Sequence, residues 1–257
     1  MPTNTPEVGL TPDWTPEATA RRTDRNGNPV LNLILSSLSD AQFQSIENQL
    51  QFVALPTGMI LHEAGEALDY AYFLNGGLCS LLVVTSQGDT VEVGVVGKEG
   101  MVGTVLAVGL NQSPHRAVMQ VADSGFRMHG RDLQSIMTSD GELFQRINKY
   151  AQVLGLSVAQ TAACNRLHEI EQRLSRWLLT SQDRIGTESL SMTHEFLAQM
   201  LGTGRPSVTL AAGMLQRAGL IDYRRGKVRI VDRKGLESAA CECYENMRDF
   251  QRELGLS

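Results

Sequence analysis

Residues 192–217 read MTHEFLAQMLGTGRPSVTLAAGMLQR, and this stretch decides the fold of the carboxy-terminal part of the chain. Apolar residues recur at helical spacing before and after the tripeptide Gly202-Thr203-Gly204: Phe196, Leu197, Met200 and Leu201, then Val208, Leu210, Ala211, Met214 and Leu215. Glycine permits the backbone angles of a tight turn between two helices, and Pro206 suits the first turn of the second helix. The stretch therefore predicts a helix-turn-helix.

The next segment predicts a hairpin. Residues 220–231 read LIDYRRGKVRIV, two alternating runs around Arg225-Gly226. Helix, turn, helix and hairpin in this order are typical of a winged helix. Helix pairs joined by a glycine turn also occur in ordinary core packing, so the topology alone leaves the function open.

The charge distribution favours nucleic acid. Residues 205–234 contain eight Lys or Arg and two acidic residues, whereas the whole chain has a net charge of −5. A basic segment on an acidic protein is typical of phosphate contact. The side chains predicted to face bases lie near the start of the second helix: Arg205, Ser207 and Thr209. The predicted phosphate contacts are Thr203, Arg217, Arg224, Arg225 and Lys227.

Length and composition predict a soluble protein of one or two domains, with 257 residues of which 42% are hydrophobic. No run of eighteen apolar residues and no signal-peptide layout occurs, so we expect a cytoplasmic protein without membrane contact. Four cysteines, at 79, 164, 241 and 243, are too scattered for a disulfide framework. Only Cys241 and Cys243 are close in sequence, and we predict no metal site.

The chain divides into four predicted parts, and the fold class is α+β. Residues 1–29 are rich in proline and nearly devoid of apolar residues, which predicts a disordered tail. Residues 30–138 contain short apolar or alternating runs between glycine turns, which predicts a β-roll or jelly roll. Residues 139–168 return to helical periodicity, and residues 169–257 contain the winged helix.

The helical segment has apolar residues spaced mostly four and three apart, as in a coiled-coil seam. The seam residues are Leu143, Ile147, Tyr150, Leu154, Val158 and Thr161. The seam predicts a dimer interface, with packing on the same chain as the open alternative.

A β-roll, a long helix and a winged helix in this order resemble the cyclic-AMP receptor protein/Fnr (Crp/Fnr) family of bacterial transcription regulators. The resemblance covers about residues 30–250. It implies a homodimer in which the roll senses a signal and the recognition helices read a near-palindromic site, with RNA polymerase as a further partner. Arg205 falls at the family's first recognition-helix arginine. Pro206 and Leu210 stand where many members have a base-reading glutamate and a later arginine.

The resemblance places the ligand-binding candidates at Gly100, Met101 and Arg116. Met101 replaces the glutamate that holds a ribose hydroxyl, and Ala117 replaces a hydroxyl residue that contacts the phosphate. The sequence thus argues against cyclic nucleotide and predicts no certain cofactor; another signal, or none, stays open. The iron–sulfur cysteines of Fnr-type members are absent from the amino-terminal region.

We therefore predict a DNA-binding regulator. The alternative is a ligand-sensing or protein-interaction module whose winged helix contacts protein. An enzyme is not expected, because the sequence has no phosphate-binding glycine loop, no nucleophile elbow and no metal-ligand spacing that we recognise.

Overall fold

The computed structural model describes residues 22–138, 141–187 and 189–253. Most of the predicted tail, residues 1–21, lies outside the described residues. The tail prediction does not hold for residues 22–29, which form a turn closed by a bridge between Thr23 and Pro29. The Asp24 carboxylate accepts hydrogen bonds from the backbone of Asn26 and Asn28. The segment is ordered because polar groups, rather than buried apolar ones, hold it.

The predicted β-roll is confirmed as two four-stranded antiparallel sheets, in the orders β1-β8-β3-β6 and β2-β7-β4-β5. Its strands are β1 (Gln51–Leu55), β2 (Ile60–His62), β3 (Tyr70–Leu74), β4 (Leu78–Val84), β5 (Thr90–Val96), β6 (Met101–Val102), β7 (His115–Val121) and β8 (Asp123–His129). Fully buried side chains such as Phe73, Phe126 and Met119 fill the space between the sheets. Two short helices precede the strands: α1 (Leu33–Ser36) and α2 (Asp40–Ile46).

The helix α3 (Gly130–Met137) leads from the roll to the long helix α4 (Glu142–Leu167). Leu143, Ile147 and Tyr150 are buried in the core of the roll on the same chain. The alternative of packing on the same chain therefore holds for these three members of the predicted seam, because their face of α4 covers the roll. Leu154 and Val158 are half-buried and lie near Gly94 of β5, and Thr161 is half-buried.

The carboxy-terminal domain is the predicted winged helix. Its elements are α5 (Ile170–Ile185), β9 (Ser189–Ser191), α6 (His194–Leu201), α7 (Arg205–Arg217), β10 (Ile221–Arg224), β11 (Lys227–Ile230), α8 (Arg233–Ala239) and α9 (Cys243–Glu253). The wing is a three-stranded antiparallel sheet in the order β10-β11-β9. The sequence predicts one helical stretch over residues 234–252, and the structure divides it between α8 and α9. Helix α9 returns to pack on α4 and α5.

Buried polar contacts join the roll to the carboxy-terminal domain. The Glu92 carboxylate of β5 accepts hydrogen bonds from Ser80 Oγ at 2.5 Å and from Trp177 Nε1 of α5 at 2.7 Å. Glu99 forms an ion pair with Arg184 of α5 at 2.7 Å, and both side chains are about nine-tenths buried. The orientation of α5 thus depends on two carboxylates that the roll supplies.

Candidate nucleic-acid interface

The turn between α6 and α7 has the geometry that its glycines predict. Thr193 begins α6 as the N-cap and accepts a hydrogen bond from Phe196 N. Gly202 ends the helix with φ +58°, in the left-handed region that glycine adopts without strain. Pro206 lies in the first turn of α7, where its missing N–H leaves no helical hydrogen bond unmade.

Helix α7 divides into a buried face and an exposed face. Its buried residues are Val208, Ala211, Ala212 and Leu215. The exposed residues are Arg205, Pro206, Thr209, Leu210, Met214, Gln216 and Arg217. Leu210 and Met214 keep 68% and 47% of their surface accessible. The accessible face therefore combines cationic, polar and apolar groups along one helix.

One of the predicted base-facing residues has hydrogen bonds within the chain, and a second is partly covered. The Thr209 hydroxyl lies 3.0 Å from His194 Nδ1 and donates to the Arg205 carbonyl oxygen at 3.0 Å. Ser207 is only half-exposed. Arg205 is exposed at the first position of the helix.

His194 is a site residue that the sequence pattern did not single out. Its ring stacks on Tyr223 of the wing, with centroids 4.3 Å apart, and Tyr223 donates a hydrogen bond to the Met192 carbonyl oxygen at 2.7 Å. Burial lowers the pKa of His194, and the charge of Arg205 lowers it further. A neutral imidazole thus connects α6, α7 and the wing.

The wing ends in a tight turn at Arg225 and Gly226, whose φ angles are +50° and +75°. Positive φ at both central residues is the pattern of a type I′ hairpin. Arg225 and Lys227 are exposed there. Arg224 is exposed but paired with Asp222 at 3.0 Å, so its charge is partly neutralised.

Helix α5 contacts the turn between α6 and α7. The Arg173 guanidinium of α5 donates to the Leu201 carbonyl oxygen, at the end of α6. Thr203 follows the turn, half-buried, and its backbone N–H donates to the Ala198 carbonyl oxygen at 3.0 Å. These contacts hold α7 at a fixed angle on α5 and α6.

Most of the carboxy-terminal domain matches a known family of helix-turn-helix domains. Residues 172–239 match the model of the Crp-like helix-turn-helix domain. The carboxy-terminal domain is a Crp-like helix-turn-helix domain.

Solved structures extend the likeness to the whole fold. A Crp/Fnr-family transcriptional regulator from Eubacterium rectale superposes with a TM-score of 0.65 at 20% identity, over 80% of this chain and 96% of its own. A Crp/Fnr-family regulator from Thermus thermophilus gives 0.62 at 22% identity, over 76% and 98%. The c-di-GMP-responsive regulator CLP from Xanthomonas campestris gives 0.63 at 15% identity, over 75% and 99%. No curated protein sequence matches significantly.

The predicted resemblance to Crp/Fnr regulators is confirmed, and the chain has the Crp/Fnr fold: a cyclic-nucleotide-binding-like roll, a long helix and a helix-turn-helix. At 15–22% identity these solved structures show the fold, and the domain match shows the helix-turn-helix. Among the described helices, none is both long and apolar enough to span a membrane.

In this Crp/Fnr roll the predicted ligand residues do not form an open site. Arg116 is paired with Glu63, with Nε 2.6 Å from a carboxylate oxygen. Met101 has no accessible surface. A Cβ atom on Gly100 would lie 2.1 Å from the ring of Tyr150, so α4 packs directly on this glycine. The residues that would hold a cyclic nucleotide are thus occupied by contacts within the chain.

A cavity of about 320 Å³ lies elsewhere, between the roll, α4, α5 and α9. Its volume is at the lower end of the range for small-molecule sites. Glu92, Trp177 and Arg176 line it on the side of the roll and α5, and Tyr244 and Arg248 line it on the side of α9. The cavity contacts both domains, whereas the predicted nucleotide residues belong to the roll alone.

Proposed function

We propose that this chain is a homodimeric, sequence-specific DNA-binding transcription regulator of the Crp/Fnr type. The observation that carries the proposal is the exposed face of α7 within a domain that matches the Crp-like helix-turn-helix model. Arg205 is exposed at the start of this helix, which is the end that helix-turn-helix proteins present to base edges in the major groove. Such a protein would act in the cytoplasm, on the DNA and with RNA polymerase as a further partner.

Base reading would start at Arg205, whose guanidinium can form two hydrogen bonds with O6 and N7 of guanine. Ser207 and Thr209 would add weaker polar contacts, with Thr209 held by His194. Leu210 and Met214 are exposed on the same helix, and apolar side chains contact the methyl group of thymine. Leu210 stands where related sequences have an arginine, so we expect a thymine preference at that position of the operator.

Phosphate contacts would position the domain without reading sequence. The proposed contacts are Thr203, Arg217, Arg224, Arg225 and Lys227. Arg225 and Lys227 are the strongest candidates because they are exposed at the tip of the wing. Arg224 would first have to break its ion pair with Asp222. We therefore expect it to contribute least to DNA affinity.

The dimer interface would use the exposed face of α4 rather than the apolar seam that covers the roll. Leu156 and Leu167 are 45% and 73% exposed, and the small residues Gly155, Ala159 and Ala163 of the same helix are also exposed. Small residues allow close approach of a second helix, and exposed leucines supply apolar area. Leu154, Val158 and Thr161 would lie at the edge of this interface. A two-fold axis there would present two recognition helices to half-sites roughly 34 Å apart.

The signal in this proposal is not a cyclic nucleotide. The pairing of Arg116 with Glu63 and the burial of Met101 support this view. The cavity between the roll and α5 is better placed to receive a small molecule, because a ligand there would contact both domains.

The test is selection of bound sites from random DNA duplexes by the purified, ligand-free chain, followed by a salt titration on the selected site. A two-fold-symmetric site whose affinity falls steeply with salt would support the proposal, since released counterions give that slope. Absence of an enriched site, both without addition and with metabolite extract, would contradict it.

One observation favours the alternative of a winged helix that contacts protein. Leu210 and Met214 expose apolar surface on the recognition helix, which also suits a protein partner. The salt titration separates the two functions, because protein contact predicts weak DNA binding without sequence preference.

A further inference from the structure

The described residues include one cluster of metal-ligating side chains, formed by Cys164, His168, Cys241 and Cys243. Cys164 and His168 lie at the carboxy-terminal end of α4, and Cys241 and Cys243 lie at the start of α9. The ligand atoms all lie within 4.8 Å of one another. The prediction of no metal site rested on sequence proximity, because only Cys241 and Cys243 are near each other in the chain. The C-x-C and C-x₃-H spacings are the signal that could have found the cluster.

Two of the six distances between ligand atoms are close to the edges of a tetrahedral site. With Zn–S of about 2.3 Å and Zn–N of about 2.0 Å, the edges of the tetrahedron are about 3.8 Å between sulfurs and about 3.5 Å between sulfur and nitrogen. The Sγ atoms of Cys164 and Cys241 are 3.4 Å apart, and Cys243 Sγ lies 3.5 Å from His168 Nδ1. One ion at the centre would therefore require shifts of a few tenths of an ångström in these pairs.

The surroundings of His168 are those of a metal-binding imidazole. Its Nε2 lies 3.1 Å from the carboxylate of Glu242, the residue between the two cysteines. Protein imidazoles that bind a metal through one nitrogen usually donate from the other to a carboxylate or carbonyl oxygen. That hydrogen bond places the proton on Nε2 and directs the lone pair of Nδ1 toward the sulfurs.

The sulfurs are shielded from solvent and form no disulfide. All three cysteines are almost fully buried. The Gln160 amide donates to Cys243 Sγ at 3.0 Å, which fixes the position of this sulfur beside His168. A cation that binds here would displace the thiol protons, because metal-bound cysteine is a thiolate.

We propose that Cys164, His168, Cys241 and Cys243 bind one zinc-type divalent cation in a closed, four-coordinate site. Three thiolates and an imidazole are the donor set of structural zinc sites. A disulfide between Cys164 and Cys241 would use only two of the four groups and would leave the arrangement of His168, Glu242 and Gln160 without a role. Ligand atoms this close together suit a single ion better than a cluster of several irons.

The ion would join two parts of the chain that otherwise pack by side-chain contact. Its ligands connect the end of α4 to the start of α9, and α5 begins only two residues after His168. The site would therefore fix the angle at which the carboxy-terminal domain leaves the long helix. Under the proposed function, occupancy would bias the spacing of the two recognition helices.

The test is titration of the fully reduced, metal-free chain with Co²⁺, followed by displacement with Zn²⁺. We expect one equivalent of Co²⁺ to bind, with thiolate-to-cobalt charge-transfer absorption and the visible bands of tetrahedral cobalt. C164S and C243S should lose this spectrum. C79A is the matched control, because Cys79 is an equally buried thiol outside the cluster, and it should bind like the wild type.

E242Q is a second test that remains valid if the cysteine variants do not fold. Glu242 is exposed and is not a ligand, so we expect this variant to fold. It should weaken Zn²⁺ binding about 10–100-fold, the usual effect of removing a partner of a metal-bound imidazole. The proposal is overturned if the reduced chain binds no stoichiometric Co²⁺, or if C164S and C243S bind it as tightly as C79A. Because the readout is metal content, a chain that bound Co²⁺ but no DNA would contradict the proposed regulator and support the metal site.

Discussion

Arg205 and Arg225 of the winged helix have surroundings different from those of Arg116 in the β-roll. Arg205 and Arg225 are exposed at the start of α7 and at the tip of the wing, where a polyanion can reach them. In the roll, Arg116 is paired with Glu63 at 2.6 Å. The two exposed side chains are therefore available to an external anion, whereas the charge of Arg116 is neutralised within the roll. Four predictions test the two regions and the contact between them.

The largest expected effect is at Glu92, the buried carboxyl between the two domains. Burial raises its pKa to about 7, although hydrogen bonds from Ser80 and Trp177 and the charges of Arg176 and Arg184 act in the opposite direction. In the unfolded chain the carboxyl ionises near pH 4.5. The folded state keeps the proton to higher pH, so the contribution of Glu92 to the free energy of unfolding is largest below pH 4.5 and is lost as the pH rises to about 7. The loss from this residue is on the order of 3 kcal/mol.

Glu92→Gln should remove this pH dependence, because an amide does not ionise. Its oxygen can accept from Trp177 Nε1, and its NH2 group can donate to Ser80 Oγ in place of the hydrogen bond that Ser80 donates to the carboxylate. Chemical denaturation at several pH values measures it: the variant should be more stable than the wild type at pH 8 and similar near pH 4.5. Glu66→Gln, which removes a carboxylate from an exposed loop of the same roll, is the control for net charge. A variant with the wild-type pH profile would contradict the assignment.

The second prediction tests whether the nucleotide-type site is closed by packing. Gly100→Ala would place a methyl group 2.1 Å from the Tyr150 ring, which is itself buried. We expect a loss of roughly 1–3 kcal/mol in the free energy of unfolding, the usual cost of overpacking. Gly213→Ala is the matched control in the other region, since its nearest neighbour is the flexible end of Arg217 at 3.4 Å.

Gly213→Ala should change stability in the opposite direction, by up to about 1 kcal/mol, because alanine is the better helix former. Thermal unfolding of both variants measures the contrast. If Gly100→Ala were as stable as the wild type, the space between β6 and α4 would be open enough for a ligand. The residues around Gly100 would then again be candidates for a ligand-binding site.

These two regions also show what the sequence could predict. The helix-turn-helix followed from local features, because Gly202, Pro206 and the helical periodicity act within a few residues of one another. The cluster around Cys164 did not, since the sequence shows only its two halves, a C-x₃-H and a C-x-C spacing, and Cys164 lies 77 positions from Cys241. The ion pair between Arg116 and Glu63 could not be predicted from the sequence either, because the two residues are 53 positions apart.

The sequence left the partner of the seam on α4 open for a different physical reason. An apolar stripe with residues such as Leu143 and Ile147 can pack equally well against a partner helix or against a neighbouring sheet. Periodicity alone therefore does not identify what covers it. The structure assigns the amino-terminal half of the stripe to the roll of the same chain. The exposed face with Leu156 carries no periodic apolar signal strong enough to be found from sequence.

The third prediction concerns base reading by Arg205. Arg205→Ala should cost about 1–3 kcal/mol of binding free energy on the selected site and relax the preference at one base pair of each half-site. Arg205→Lys is the matched control, because it keeps the charge and loses the two-pronged hydrogen-bonding geometry. Binding measured on the selected site and on random duplexes separates the two. Equal losses on both kinds of DNA would show that Arg205 contacts phosphate instead.

The smallest effect is expected at Arg225, on the tip of the wing. Because its φ is +50°, alanine there would strain the turn, whereas asparagine tolerates the left-handed region. Arg225→Asn should thus keep the hairpin and remove one phosphate contact, which weakens selected and random DNA alike and lowers the slope of log affinity against log salt by about 1. Arg225→Lys, which retains the charge, should keep the wild-type slope. A sequence-dependent loss in Arg225→Asn would mean that the wing reads bases, and an unchanged slope would mean that the wing does not touch DNA.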